Sequence, residues 1–89
     1  MERTYVFTLL LHRKYAAAPK KILRAPALAK SPKFIADILK HYLESYGDFR
    51  LKYDGRKEGA TVYKTNSDKR GRYFTLTIIR RTSKRTGYE

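Results

Sequence analysis

Residues 31–47 read SPKFIADILKHYLESYG and residues 49–79 read FRLKYDGRKEGATVYKTNSDKRGRYFTLTII, and the change of hydrophobic period between the two decides the fold. In the first, Phe34, Ile35, Ile38, Leu39, Tyr42, Leu43 and Tyr46 recur at the helical period, with Lys33, Asp37, Lys40, His41, Glu44 and Ser45 on the other side. The segment therefore predicts an amphipathic helix with one core-facing stripe that includes Tyr42 and Tyr46. Ser31-Pro32 starts it, because the serine oxygen is placed to accept a first-turn amide and proline fits the first helical position. Gly47 ends it as a left-handed cap. In the second segment the period falls to two. Phe49-Arg50-Leu51-Lys52-Tyr53 alternates strictly, Thr61 to Thr65 forms a further strand, and in Tyr73 to Ile79 the residues Phe74, Leu76 and Ile78 share one face. Asp54-Gly55 and the polar run Asn66 to Gly71 read as the turns between them.

Working outward, Thr4 to Leu11 is rich in aromatic and β-branched residues and has no glycine or proline, so it predicts a strand buried on much of both faces. Residues 12–30 hold Pro19, Pro26, three consecutive alanines and scattered cations, a mixture that predicts a long basic loop with one helical turn around Lys20 to Arg24. The expected fold is α+β, a small, mostly antiparallel sheet with one amphipathic helix packed on one face, in the order β-loop-α-β-β-β. Residues 1–81 are expected to form a single domain. Residues 82–89 form a basic tail that reads as flexible until bound.

Length and charge narrow the function. An 89-residue chain without cysteine holds one modest core and no disulfide. Two histidines are too few for a structural zinc, so no metal or other cofactor is expected. The apolar run from Tyr5 to Leu11 is too short to span a membrane, and the near-neutral helix does not suit a membrane surface.

The formal net charge is +13, and its distribution matters more than its size. Residues 3–36 contain Arg3, Arg13, Lys14, Lys20, Lys21, Arg24, Lys30 and Lys33 and no acid. Residues 69–88 contain Lys69, Arg70, Arg72, Arg80, Arg81, Lys84 and Arg85 and again no acid. In residues 34–68 the acids and bases balance. Surfaces tuned only for solubility intersperse both signs, so two acid-free flanks around a neutral middle point to a polyanion partner.

Nucleic-acid binding needs cations for phosphates and planar groups for exposed bases. The hairpin Lys69-Arg70-Gly71-Arg72 offers the first around a glycine that lets a phosphate approach the backbone closely. Arg50 and Lys52 point away from the helix-facing side of their strand. Arg13, Lys14, Lys20, Lys21, Arg24 and Lys30 lie on the loop, and Arg80, Arg81, Lys84 and Arg85 on the tail. Among eight tyrosines, Tyr53 shares a face with Phe49 and Leu51 and is expected in the core, whereas Tyr15, Tyr63 and Tyr73 are the stacking candidates.

Catalysis is not expected. A ribonuclease-type acid–base pair of His12 and His41 is the rival reading, but an i,i+4 contact with Asp37 accounts for His41, and phosphate contact accounts for His12. No phosphate-cradling glycine loop or nucleophile motif is present in the sequence.

The run Phe34-Ile35-Ala36-Asp37-Ile38-Leu39, the strand Phe49-Arg50-Leu51-Lys52 and the strand Arg72 to Ile79 resemble the helix-then-three-strands pattern of certain small archaeal and eukaryotic large-subunit ribosomal proteins. Leu51-Lys52-Tyr53-Asp54-Gly55-Arg56 is also similar to a stretch in the Alu-RNA-binding subunit of the signal recognition particle. Residues 1–30 depart from both families, and the C-terminal helix expected of the signal-recognition subunit has no counterpart in the sequence after Arg80. The first resemblance implies a structural RNA-binding protein of the cytoplasmic ribosome, partnered by ribosomal RNA and neighbouring ribosomal proteins, with no membrane or small-molecule substrate. The alternatives are a signal-recognition-particle-like subunit, a DNA-binding or chromatin protein of an archaeon or virus, and a protein-interaction module.

Overall fold

In the structure, a computed structural model that describes residues 2–81, the elements in chain order are β1 (Arg3–His12), β2 (Lys20–Ala29), α1 (Pro32–Glu44), β3 (Leu51–Lys57), β4 (Ala60–Thr65) and β5 (Tyr73–Arg80). The strands form one antiparallel sheet in the order β2-β1-β5-β4-β3. The chain leaves one edge at β2 and re-enters at the other edge as β3, so α1 must cross a sheet face, and it covers that face alone. The fold is the expected α+β sheet with one helix.

The core lies between α1 and the centre of the sheet. Tyr5, Phe7 and Leu9 of β1 and Phe74, Leu76 and Ile78 of β5 are buried, as are Ile35, Ala36, Leu39 and Leu43 of the helix. Register sets Phe7 opposite Ile78 and Leu9 opposite Leu76, so the odd residues of β1 and the even residues of β5 share the helix side. Phe49 closes one end of the core with its ring edge-on to Phe74 at 4.9 Å.

Residues 12–30 are the main correction to the sequence expectation. They form a hairpin, with a short loop followed by the ten-residue strand β2, instead of a long loop with a helical turn at Lys20 to Arg24. Ala25, Ala27 and Ala29 face the helix side, and Arg24, Pro26 and Leu28 the other, a period-two pattern disguised by residues of low strand propensity. Pro26 is tolerated because β2 is an edge strand, whose backbone has a ladder partner on one side only.

Smaller differences have equally local causes. Asp54-Gly55 is a bulge within β3, and the turn follows at Glu58-Gly59, where φ is 52° and 81°. Two left-handed residues in succession are what a tight two-residue hairpin requires. Ser31 is the N-cap but makes no side-chain cap bond; its carbonyl accepts from Phe34 N–H. The helix closes at Ser45 in right-handed geometry, before Gly47, with the Ser45 hydroxyl donating to the Tyr42 carbonyl at 2.6 Å.

The expected helix stripe divides into two ridges. Ile35, Leu39 and Leu43 are buried, while Phe34, Ile38, Tyr42 and Tyr46 are substantially exposed. Tyr42 and Tyr46 therefore lie outside the core, their hydroxyls 3.0 Å apart, although the Tyr46 ring still leans on Phe74. Tyr53, also expected in the core, is 61% exposed because β3 is the far edge of the sheet. His41 neighbours Glu44, and Asp37 is taken by Lys33.

Candidate nucleic-acid interface

The face of the sheet opposite α1 is uncovered by any described element. Register assigns its side chains without ambiguity, because directly opposed residues point the same way. Lys52, Lys64, Thr75, Leu10 and Lys21 fall in one row across all five strands. Val62, Thr77, Thr8 and Arg24 form the next row. Arg81, held by its N–H to the Thr4 carbonyl at 2.9 Å, lines a shallow groove of about 660 Å³ with Lys21, Arg24, Val6 and Ile79.

No registered position on this face is acidic. Asp54, at the bulge in β3, is paired with Lys57 at 3.2 Å. Lys52 and Lys64 are opposed directly, and like charges in that arrangement repel. Among the described residues, no carboxylate lies in ion-pair range of Lys21, Arg24, Lys52, Lys64 or Arg81.

A second basic region caps one end of the sheet, where the β1–β2 loop meets the β4–β5 loop. Arg13, Lys14, Tyr15, Arg70 and Arg72 line one concavity there. Asp68 builds the β4–β5 loop: one carboxylate oxygen accepts the N–H groups of Arg70 and Arg72 at 2.9 and 2.8 Å, and the other accepts Arg72 Nε at 2.7 Å. Gly71, at φ +78°, takes the left-handed turn this requires, and the Lys14 side chain lies against it where a Cβ would stand. The two loops are thus packed together, and the cations they carry share one surface.

The backbone N–H of Arg72 is the main reason the Asp68 carboxyl titrates below its ordinary range; desolvation opposes it, and the Arg72 guanidinium and the Arg70 N–H add to the lowering. His12 is also lowered, first by burial and then by the charge of Lys64, so its neutral form is favoured in the fold. Both depressions act in the same direction. The unfolded chain binds the extra proton, so stability is full above the ordinary values and falls as pH drops, first below 6.5 for His12 and then below 3.8 for Asp68. Thermal melts at pH 7, 5 and 3 should show a falling midpoint, and Asp68→Asn should lose the most acidic step. An unchanged acid limb in that variant would remove Asp68 as its source.

The sequence-based candidates divide by position. Lys21, Arg24, Lys52, Tyr73 and Arg81 are on the open face, and Arg13, Lys14, Tyr15, Lys69, Arg70 and Arg72 at the adjoining end. Lys20 sits opposite Leu11 and Arg80 opposite Tyr5, both on the helix side. Lys30 borders an apolar groove between β2 and α1, away from the open face. Arg50 precedes β3, where its N–H donates to Asn66 Oδ1 and its guanidinium neighbours Asp48.

Tyr63 is a correction, since it stands opposite Leu76, faces the helix side and packs against the core. That burial is the main reason its hydroxyl titrates above the ordinary range. Lys84 and Arg85, with the whole 82–89 tail, lie outside the described residues.

Sequence reading passed over Lys64 and the stacking of the His12 ring on Tyr73. Strict alternation in Thr61 to Thr65 puts Lys64 on the face opposite Tyr63, but which face is open depends on pairing with β5. Comparisons with models of known families, with curated proteins and with solved structures returned no match.

Proposed function

We propose that this chain binds structured RNA as a non-catalytic component of a ribonucleoprotein particle, with the ribosome the foremost candidate. The observation that carries the reading is the cross-strand pair Lys52 and Lys64 in one row with Lys21, beside Arg24, on a face without a registered acid. Such an arrangement costs folding free energy in the free chain and is relieved when a phosphate backbone lies across it. The helix side contrasts with it, since Asp37 and Glu44 ride on α1 there with partners of their own. RNA is favoured over a uniform duplex by the irregular relief of the basic end, which suits a folded polynucleotide better than a smooth rod.

Two triple variants of equal charge test the assignment. Lys21→Gln, Arg24→Gln and Lys64→Gln together should weaken binding to a structured RNA about a hundred-fold at moderate salt and flatten its salt dependence. Lys30→Gln, Lys33→Gln and Lys40→Gln together should change the same filter-binding titration by less than about five-fold. Equal losses from both triples would mean that only net charge matters, and a clear preference for duplex DNA in competition would replace RNA as the ligand.

A further inference from the structure

Where β1 ends and β5 begins, His12 and Tyr73 are registered partners on the open face. Their rings are stacked, with centroids 4.6 Å apart and planes 2° from parallel. Thr75 Oγ1 lies 2.8 Å from His12 Nε2 and fixes the imidazole. The Lys64 ammonium stands 4.8 Å from the centre of the Tyr73 ring. Two aromatic planes are therefore held parallel before any ligand arrives.

These rings wall a cavity of about 380 Å³ whose other sides include Arg13, Lys14, Pro19 and Gly71. Among the described residues, no carboxylate lines it. It adjoins the concavity carrying Arg70 and Arg72, because Arg13 and Lys14 border both.

We infer that this cavity receives one unpaired nucleobase of the bound RNA, stacked on the His12–Tyr73 pair, with the flanking phosphates on Arg13, Lys14 and Arg70. The inference rests on the RNA-binding reading and adds a site and a ligand class to it. Three features select an unpaired base. A preformed parallel stack presents a π-surface that a further flat ring extends at little ordering cost. A base inside a duplex has both faces covered and cannot reach a cavity at the end of a sheet. The cations stand at the rim, where the phosphates of a splayed nucleotide would lie, while proline and the loop backbone supply a wall for the ring. Neutral imidazole, the form that burial and Lys64 favour, stacks without adding a charge to the base's edge.

The experiment uses the full chain and three hairpin RNAs, identical except at one position: a bulged 2-aminopurine, an abasic site in its place, or no extra nucleotide. At fixed salt the bulged RNA should bind about ten-fold more tightly than either of the others, with its 2-aminopurine fluorescence quenched on binding. In His12→Ala the ratio of bulged to paired affinity should fall to about one. The abasic arm uses the unaltered protein, so the result does not hang on the variant folding. Equal affinities for all three RNAs, or a bulge preference that the abasic site reproduces, would remove the pocket and leave the RNA-binding reading in place. Failure to bind any of them would remove both.

Discussion

Raising monovalent salt from about 50 to about 200 mM is expected to weaken binding of this chain to structured RNA by roughly a thousand-fold or more. Each phosphate that a lysine or arginine neutralises releases condensed counterion, so the logarithm of affinity falls with the logarithm of salt in proportion to the number of contacts. Lys21, Arg24, Lys52, Lys64 and Arg81 on the open face, with Arg13, Lys14, Lys69 and Arg70 at its end, are exposed to solvent or half-exposed. About six of them meeting phosphates together would give that loss. Electrophoretic or filter-binding titrations across the salt range read the slope directly. A slope near zero would mean that contact is made elsewhere, for example through the apolar groove between β2 and α1, and would dispose of the electrostatic reading.

How much of this was legible in the sequence depends on whether local periodicity or pairing decides each element. The helix was legible because Ile35, Leu39 and Leu43 repeat with its period, and β5 because Phe74, Leu76 and Ile78 alternate with small polar residues. β2 was hidden because Ala25-Pro26-Ala27-Leu28-Ala29 has little strand propensity of its own. It becomes a strand by pairing with β1, a neighbour that lies next to it only once the hairpin closes.

The site was legible in composition and illegible in arrangement. Acid-free flanks gave the expectation of a polyanion partner, but Lys52 and Lys64 belong to the neutral middle segment and still face the same way as Lys21. Register brings them together, and register in β3 hinges on the bulge at Asp54: counted back from the Glu58-Gly59 turn, Lys52 and the other residues before the bulge would change faces without it. The same dependence explains Tyr63, whose face is fixed by its place opposite Leu76.

Leu76→Ala should be strongly destabilising, and comparing it with Ile79→Ala tests whether the basic face is truly uncovered. Leu76 lies on the central strand between Leu9 and Tyr63 and is fully buried. Truncation leaves a cavity beneath α1 and costs roughly 2–5 kcal/mol. A domain of this length holds only about 4–13 kcal/mol in total, and its self-repelling charge argues for the low end. The melting midpoint should therefore fall by at least about 10 °C, with part of the free chain unfolded at ambient temperature.

Ile79, three residues along the same strand but facing away from the helix, is 51% exposed. Its truncation should cost less than about 1 kcal/mol. RNA at about a hundred times its dissociation constant should return roughly 2.7 kcal/mol to the Leu76→Ala variant, because only the folded state presents the cation rows. Circular-dichroism melts with and without RNA read all three quantities. If Ile79→Ala proves as costly as Leu76→Ala, something already covers the open face in the free protein, and the surface assigned here to RNA is occupied before RNA arrives.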